Sequence, residues 1–293
     1  MKILIVGGNG FIGKAIFDRL SHDGHEVLKL DRKESAKNRP DTIFGDISNP
    51  LSYFEFLKKW KPEVVIQCAW VTGQKIYRDS QENRIHQENT FHFAKDCINL
   101  GIRHFIGLGS CAEYGKTSAP CIAGITATEP NDLYGISKLE TFKSIQAITN
   151  STDTRFTWAR IFQPYGRDQD SERLIPWAVN KLSSGEEIVL ANPSTELDWI
   201  STRDIASAIS WTISNNLPAV IDIGTSIATT VLDLLNNLAK ILDANTALIK
   251  VDPSNKLNRV RNSLVVSSNS PLLANGWKAD DLLSSGLRWA IKK

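Results

Sequence analysis

In the first half of the chain, short β-branched runs alternate with stretches whose apolar residues recur every three or four positions. Residues 2–6, 26–30, 63–68 and 103–108 read as strands, and 10–20, 51–60 and 82–100 as helices. Strand, helix, strand in regular succession predicts parallel strands joined by right-handed helical crossovers, an α/β fold with a doubly wound sheet. Ligands then bind beyond the carboxyl ends of the strands. After about residue 150 the rhythm loosens: 155–160 reads as a strand, 172–182 as a helix and 187–190 as a short strand. Further on, 205–213 and 231–242 read as helices, with short strands at 219–223 and 247–251. The pattern predicts one domain over 1–160 and a smaller α/β lobe over 161–293, with about 198–215 returning to the first domain.

Composition narrows the class of protein. Across 293 residues, 34 basic and 32 acidic side chains leave a net charge of +2 with no long cationic block, so nucleic acid is not the expected partner and any anion site must be local. The opening apolar run is cut by Gly7 and Gly8, too short for a signal peptide or a membrane span, and predicts a cytoplasmic chain with no membrane partner. Cys68, Cys97, Cys111 and Cys121 lack paired CxxC spacing, so no metal site is expected and the thiols read as free.

The first strand runs straight into Gly7-Gly8-Asn9-Gly10-Phe11-Ile12-Gly13 and then a helix. In that context missing side chains let backbone amides and a helix N-terminus approach a pyrophosphate, the dinucleotide loop of a Rossmann domain. Asp31 ends the next strand eighteen positions after Gly13, placed to accept hydrogen bonds from an adenosine ribose. The expected cofactor is NAD(P)(H). Asp31 favours NAD, since a carboxylate repels a ribose 2′-phosphate, while Arg32 and Lys33 leave NADP open. Asp46, with Ile47 beside it, reads either as an adenine contact or as a helix N-cap before Leu51.

Tyr134 and Lys138 lie four residues apart at the start of a predicted helix, which stacks them on one face. A nearby ammonium is expected to lower a phenol's pKa and make it a usable acid or base. The strand ending at Leu108 leads into Gly109-Ser110-Cys111-Ala112-Glu113-Tyr114-Gly115, which sets the Ser110 hydroxyl at the carboxyl edge of the sheet.

On these residues the sequence resembles the extended short-chain dehydrogenase/reductase family, in particular its nucleotide-sugar epimerases, dehydratases and 4-keto-reductases. The resemblance covers nearly the whole chain, through Arg160-Ile161-Phe162-Gln163-Pro164-Tyr165-Gly166, Asp198 to Ala206, Gly276-Trp277-Lys278 and Gly286-Leu287. It implies that Ser110, Tyr134 and Lys138 form the catalytic triad, with Lys138 also holding the nicotinamide ribose. It implies a nucleoside-diphosphate sugar as substrate, contacted by Gln163, Arg173, Leu174 and, at the diphosphate, Arg261. Many relatives pair two helices from each subunit, which implies a homodimer. At the fourth strand Gln67-Cys68-Ala69-Trp70 replaces the more usual His-x-Ala-Ala, so Ala69 and Trp70 are expected to wall the nicotinamide pocket. Leu197 stands where relatives commonly carry an arginine. Asn83, His86 and Asn89 fall where the family keeps one asparagine, and His86 reads as structural.

Dehydratases of this family place an Asp-Glu pair directly after the catalytic hydroxyl; here Cys111 and Ala112 stand there, and Cys111 is expected to shape the substrate pocket. The expected reaction is reduction at C4 of a nucleoside-diphospho-4-keto-6-deoxyhexose by NAD(P)H, with the Ser110 segment and Arg173 to Trp177 looking more like the reductases. A nucleotide-sugar 4-epimerase is the alternative, and a non-catalytic NAD(P)-binding sensor a lesser one.

Overall fold

In the computed structural model, residues 1–32, 39–71, 77–252, 264–268 and 271–292 are described. The β-branched runs of the first half become β1 (Lys2–Val6), β2 (Glu26–Asp31), β3 (Thr42–Phe44), β4 (Val64–Gln67), β5 (His104–Ser110) and β6 (Arg155–Ile161). Between them lie α1 (Phe11–His22), α2 (Phe54–Trp60), α3 (Glu82–Asn99) and α4 (Leu133–Thr149). The second half supplies β7 (Gln163–Tyr165), α5 (Leu174–Ser183), β8 (Ile188–Leu190), β9 (Glu196–Ser201), α6 (Thr202–Ser214), β10 (Val220–Ile223), β11 (Ala228–Thr230), α7 (Val231–Ile241), β12 (Ile249–Val251), β13 (Leu264–Val265), α8 (Pro271–Ala274) and α9 (Leu283–Ile291).

One sheet of seven parallel strands runs in the order β10-β6-β5-β4-β1-β2-β3, a Rossmann order that reverses direction between β1 and β4. Successive residues of a strand face opposite sides, and the sequence of β1 uses both. Ile3 and Ile5 pack with Ile16 and Leu20 of α1 and Ile205 and Ile209 of α6, while Leu4 and Val6 pack with Phe93 of α3 and Ile145 of α4. Each of these fully buried side chains contributes about 1.5–3 kcal/mol relative to exposure. A separate cluster built on Ile175, Leu182, Leu234, Leu238 and Leu287 forms the core of the remaining elements. There β9 pairs with β7, β11 and β13, and β8 with β12.

Three details differ from the sequence pattern. The helix expected over 51–60 is broken: a 3₁₀ turn at Pro50–Ser52 precedes α2, because Tyr53 leaves the helix to bury its ring and donate from its hydroxyl to Asp96 Oδ2 at 2.8 Å. The strand at 219–223, expected among the looser C-terminal elements, is the seventh strand of the central sheet, beside β6. Within 198–215, α6 packs along α1 whereas β9 stays in the small sheet. Among the described residues no helix is long and apolar enough to cross a membrane.

Candidate active site

The carboxyl ends of β1, β2, β4, β5 and β6 open into one cavity of about 800 Å³. Its floor at one end is the glycine loop. Gly7 has φ +75°, a left-handed conformation, and its carbonyl accepts from Gly10 N at 2.9 Å. A Cβ at Gly7 would stand 2.9 Å from Ala69 N, and one at Gly13 would stand 2.3 Å from the Gly7 carbonyl oxygen, so side chains here would fill the cradle or force it open. Gly10 caps α1 without a side-chain hydrogen bond, and the first turn carries no acidic residue. Amides and helix dipole are left facing an incoming anion. These residues fit the pyrophosphate of a dinucleotide.

Beside the loop, Asp31 at the end of β2 accepts from Asn9 Nδ2 at 2.6 Å, and Arg32 is exposed at the cavity rim. Asp46 lies two residues beyond β3 and lines the cavity with buried Ile47. Its Oδ1 accepts from Ser48 N and Ser48 Oγ, both at 2.8 Å, so the carboxylate caps a tight turn ahead of the 3₁₀ helix. Phe11, Ile12, Ala69 and Trp70 complete this wall.

At the other end stand Ser110, Tyr134 and Lys138. Ser110 ends β5 and caps the 3₁₀ turn Cys111–Tyr114, its Oγ accepting from Ala112 N at 3.2 Å. Asp132 caps α4, its Oδ1 accepting from Gly135 N at 2.7 Å, which sets Tyr134 and Lys138 on the first turns. Lys138 is only 4% exposed; its Nζ donates to Leu108 O at 2.7 Å and lies 3.8 Å from the centre of the Trp70 ring. Burial pulls its pKa down to about 7, against the opposing charge of Glu113.

The expectation that the ammonium lowers the phenol pKa is corrected here. Burial raises the Tyr134 pKa, Tyr77 adds to the rise, and a hydrogen bond with Ser110 opposes it; Lys138 Nζ is 5.9 Å from the tyrosine ring centre, drawn instead to Leu108 and Trp70. Tyr134 therefore holds its proton at neutral pH. Helical spacing gave the shared face, but the lysine tip follows the nearest buried acceptor.

Cys111, Gln163, Arg173 and Leu174 line the same cavity. Gln163 Nε2 donates to Cys111 Sγ at 3.8 Å, and burial pushes the Cys111 thiol up to about 12, leaving it neutral. Arg261 lies outside the described residues, as does Lys33. Trp70 donates to Asn83 Oδ1 at 2.9 Å, and Asn83 Nδ2 donates to Tyr77 O at 2.6 Å, so Asn83 ties the tryptophan to the next loop. His86 and Asn89 sit in the cavity wall, and His86 Nδ1 is buried without a hydrogen-bond partner.

Sequence reasoning missed Tyr77 and Arg78. The Tyr77 ring stands edge-on to Tyr134 with centres 5.3 Å apart, and the Arg173 guanidinium lies 5.0 Å from the Tyr77 ring. Arg78 donates from Nη1 to Asp132 Oδ2 at 2.5 Å, so a single carboxylate caps α4 and anchors a cation at the cavity. No local pattern marks them, because the pairing of Arg78 with Asp132 spans 54 residues and leaves no periodic trace.

The chain is similar to proteins of known activity over nearly its whole length. A dTDP-L-rhamnose 4-epimerase from Burkholderia thailandensis is 24% identical over 340 residues, covering 98% of this chain and 93% of its own. A GDP-L-colitose synthase from Yersinia pseudotuberculosis is 24% identical over 315 residues, covering 98% and 96%. The crystal structure of a UDP-glucose 4-epimerase from Thermotoga maritima superposes with a TM-score of 0.85 at 21% identity, covering 99% of this chain and 97% of that one. The model of the NAD dependent epimerase/dehydratase family matches residues 3–224. With that match over most of its length, the chain belongs to the NAD-dependent epimerase/dehydratase family, and NAD(P) is its cofactor.

Proposed function

We propose that the enzyme reduces a nucleoside-diphospho-4-keto-6-deoxyhexose at C4. The observation that carries this reading is that, among the described residues, the two positions directly after Ser110 offer no ionised acid or base, which removes a lyase step and leaves hydride and proton exchange at C4. Cys111 is a neutral thiol and Ala112 has no ionisable group, so loss of water from the sugar lacks the acid and base it needs. NAD(P)H, when bound, supplies the hydride. Tyr134 holds the proton that the new hydroxyl receives, Ser110 hydrogen-bonds the carbonyl oxygen, and Lys138 restrains the cofactor ribose. Arg78 and Arg173 give the sugar end two cations suited to a diphosphate. In this reading residues 1–160 with α6 and β10 hold the cofactor, and the remaining elements hold the nucleotide sugar. A 4-epimerase is the second reading, favoured by the likeness to the dTDP-L-rhamnose 4-epimerase.

Nucleotide content separates the two. A reductase releases oxidised cofactor every turnover, so fresh protein is expected largely free of it and should consume added NADH or NADPH with 4-keto-6-deoxyhexose nucleotides. Stoichiometric bound NAD, with nucleotide hexoses interconverted and no added cofactor consumed, supports the epimerase instead.

Asp31 is assigned to cofactor choice. The Asp31→Ala variant should shift preference toward NADP(H) by about tenfold or more, because a negative charge beside the site for a 2′-phosphate is removed while Arg32 remains. Paired dissociation constants for NADH and NADPH check it; a wild-type protein already strongly selective for NADPH would contradict the assignment.

α3 and α4 pack side by side with an Arg84–Glu140 ion pair between them, and we assign this face to a homodimer. Sedimentation should give twice the mass of one chain. A single-chain mass unchanged with concentration would remove the dimer.

A further inference from the structure

We propose that Glu113 is a positioning residue for the reacting group, its buried carboxylate tying the Ser110 main chain to the floor of the sheet and setting a negative charge behind Lys138. The proposal rests on the reading of Ser110, Tyr134 and Lys138 given above.

Glu113 is 0% exposed and lies one turn after Ser110. Its Oε1 accepts from Ser110 N and from Trp158 Nε1, both at 2.9 Å, and its Oε2 accepts from Arg160 Nε at 2.7 Å. Arg160 is itself buried on β6 and donates from Nη1 to the Tyr114 hydroxyl at 3.1 Å; that hydroxyl donates to Asp222 Oδ1 on β10 at 2.8 Å. The chain of contacts crosses β5, β6 and β10 directly beneath the end of β5. Room for it is made in the sequence: a Cβ at Gly109 would stand 2.6 Å from Glu113 Oε1 and 2.3 Å from Trp158 Nε1.

Stability alone gives no reason for a carboxylate here. Removing two charges from water is costly, and well-packed apolar side chains of similar volume often serve as well or better. What an apolar residue cannot do is accept from the Ser110 amide while holding a charge on the Trp158 indole. Together with the Ser110 Oγ bond to Ala112 N, the Glu113 bond closes a reciprocal capping box that fixes the serine's backbone and rotamer.

The charge has an audience in Lys138. The groups facing that ammonium are Leu108 O on β5, Cys68 beyond β4, the Trp70 ring, His86 on α3, Tyr134 on its own helix and the Trp158 ring on β6, whose centre lies 5.9 Å from Nζ and whose Nε1 donates to Glu113 Oε1, so the carboxylate and the ammonium meet on one indole. Of these, Glu113 is the foremost group opposing the loss of the lysine proton to burial.

The test is Glu113→Gln in the full chain, which keeps shape and an accepting oxygen but removes the charge. Lysine-selective ¹³C NMR, with Lys138 assigned by its disappearance in Lys138→Arg, should give a midpoint near 7 in the wild type. The midpoint should fall by about one pH unit in the variant, the lower end of what an adjacent opposite charge provides. The kcat–pH profile should move in the same direction, with kcat at pH 7 reduced about fivefold, the change in protonated lysine that this shift implies, and KM little changed. Because Arg160 loses its charge partner in that variant and the glutamine NH2 meets Arg160 Nε donor to donor, Glu113→Gln/Arg160→Met is measured beside it, and the midpoint should fall there too. An unmoved Lys138 midpoint in both variants overturns the proposal, as does a wild-type kcat–pH profile in Glu113→Gln. A wild-type rate in Tyr134→Phe removes the reading beneath it and is seen separately.

Discussion

The Tyr134→Phe variant is expected to bind NADH as the wild type does and to lose turnover by about 10²–10⁴-fold, the range general acid–base catalysis supplies. The substitution removes one hydroxyl and leaves the ring, which keeps its edge-on contact with Tyr77 and its place on α4. In the proposed reading cofactor binding rests on the glycine loop and Asp31, at the far end of the cavity, and on Lys138, none of which the substitution changes. An ordinary phenol is already protonated at neutral pH and burial holds Tyr134 further on that side, so the wild-type group carries the proton that reduction requires, as a weaker acid than a free phenol. Single-turnover reduction with pre-bound NADH measures the step itself; a near-normal rate would show that another group delivers the proton.

The second large effect is expected at the other end. Gly13→Ala puts a methyl group 2.3 Å from the Gly7 carbonyl oxygen and 2.9 Å from Gly8 Cα, and both obstacles are backbone. The loop cannot yield by turning a side chain, so it must open or α1 must move away from β1. Overpacking of this kind costs about 1–3 kcal/mol, which appears as roughly 5- to 150-fold weaker NADH binding if the strain is relieved by opening the cradle. Fluorescence titration with NADH checks this. Unchanged affinity would mean that the cofactor does not depend on the loop's closed form.

Much of this site is legible in the chain because its chemistry is written locally. A strand, three spaced glycines and a helix define the cradle within thirteen residues, and the next strand's last residue supplies Asp31. Ser110 follows from where β5 ends, and Tyr134 with Lys138 from helical spacing. The missed features depend on distance in sequence. Glu113 meets Trp158 across 45 residues and Arg160 across 47, and Tyr114 meets Asp222 across 108, pairings that arise only once β5, β6 and β10 lie side by side. The same holds for the lysine tip, whose acceptor on Leu108 is 30 residues away. Tyr53 shows the converse case: apolar spacing predicted a continuous helix, and one hydroxyl reaching Asp96 on α3 outweighed it.

The central claim, hydride delivery to C4 from an exchanging cofactor with no lyase step, is tested most directly by isotope placement. With NADH deuterated at the transferable position, the enzyme should convert a nucleoside-diphospho-4-keto-6-deoxyhexose into a product carrying one deuterium at C4, in amounts equal to the NADH consumed. Run in D₂O with unlabelled NADH, it should place no deuterium on any carbon of the sugar. Product without label from deuterated NADH, or deuterium entering the sugar carbons from solvent, would contradict the account.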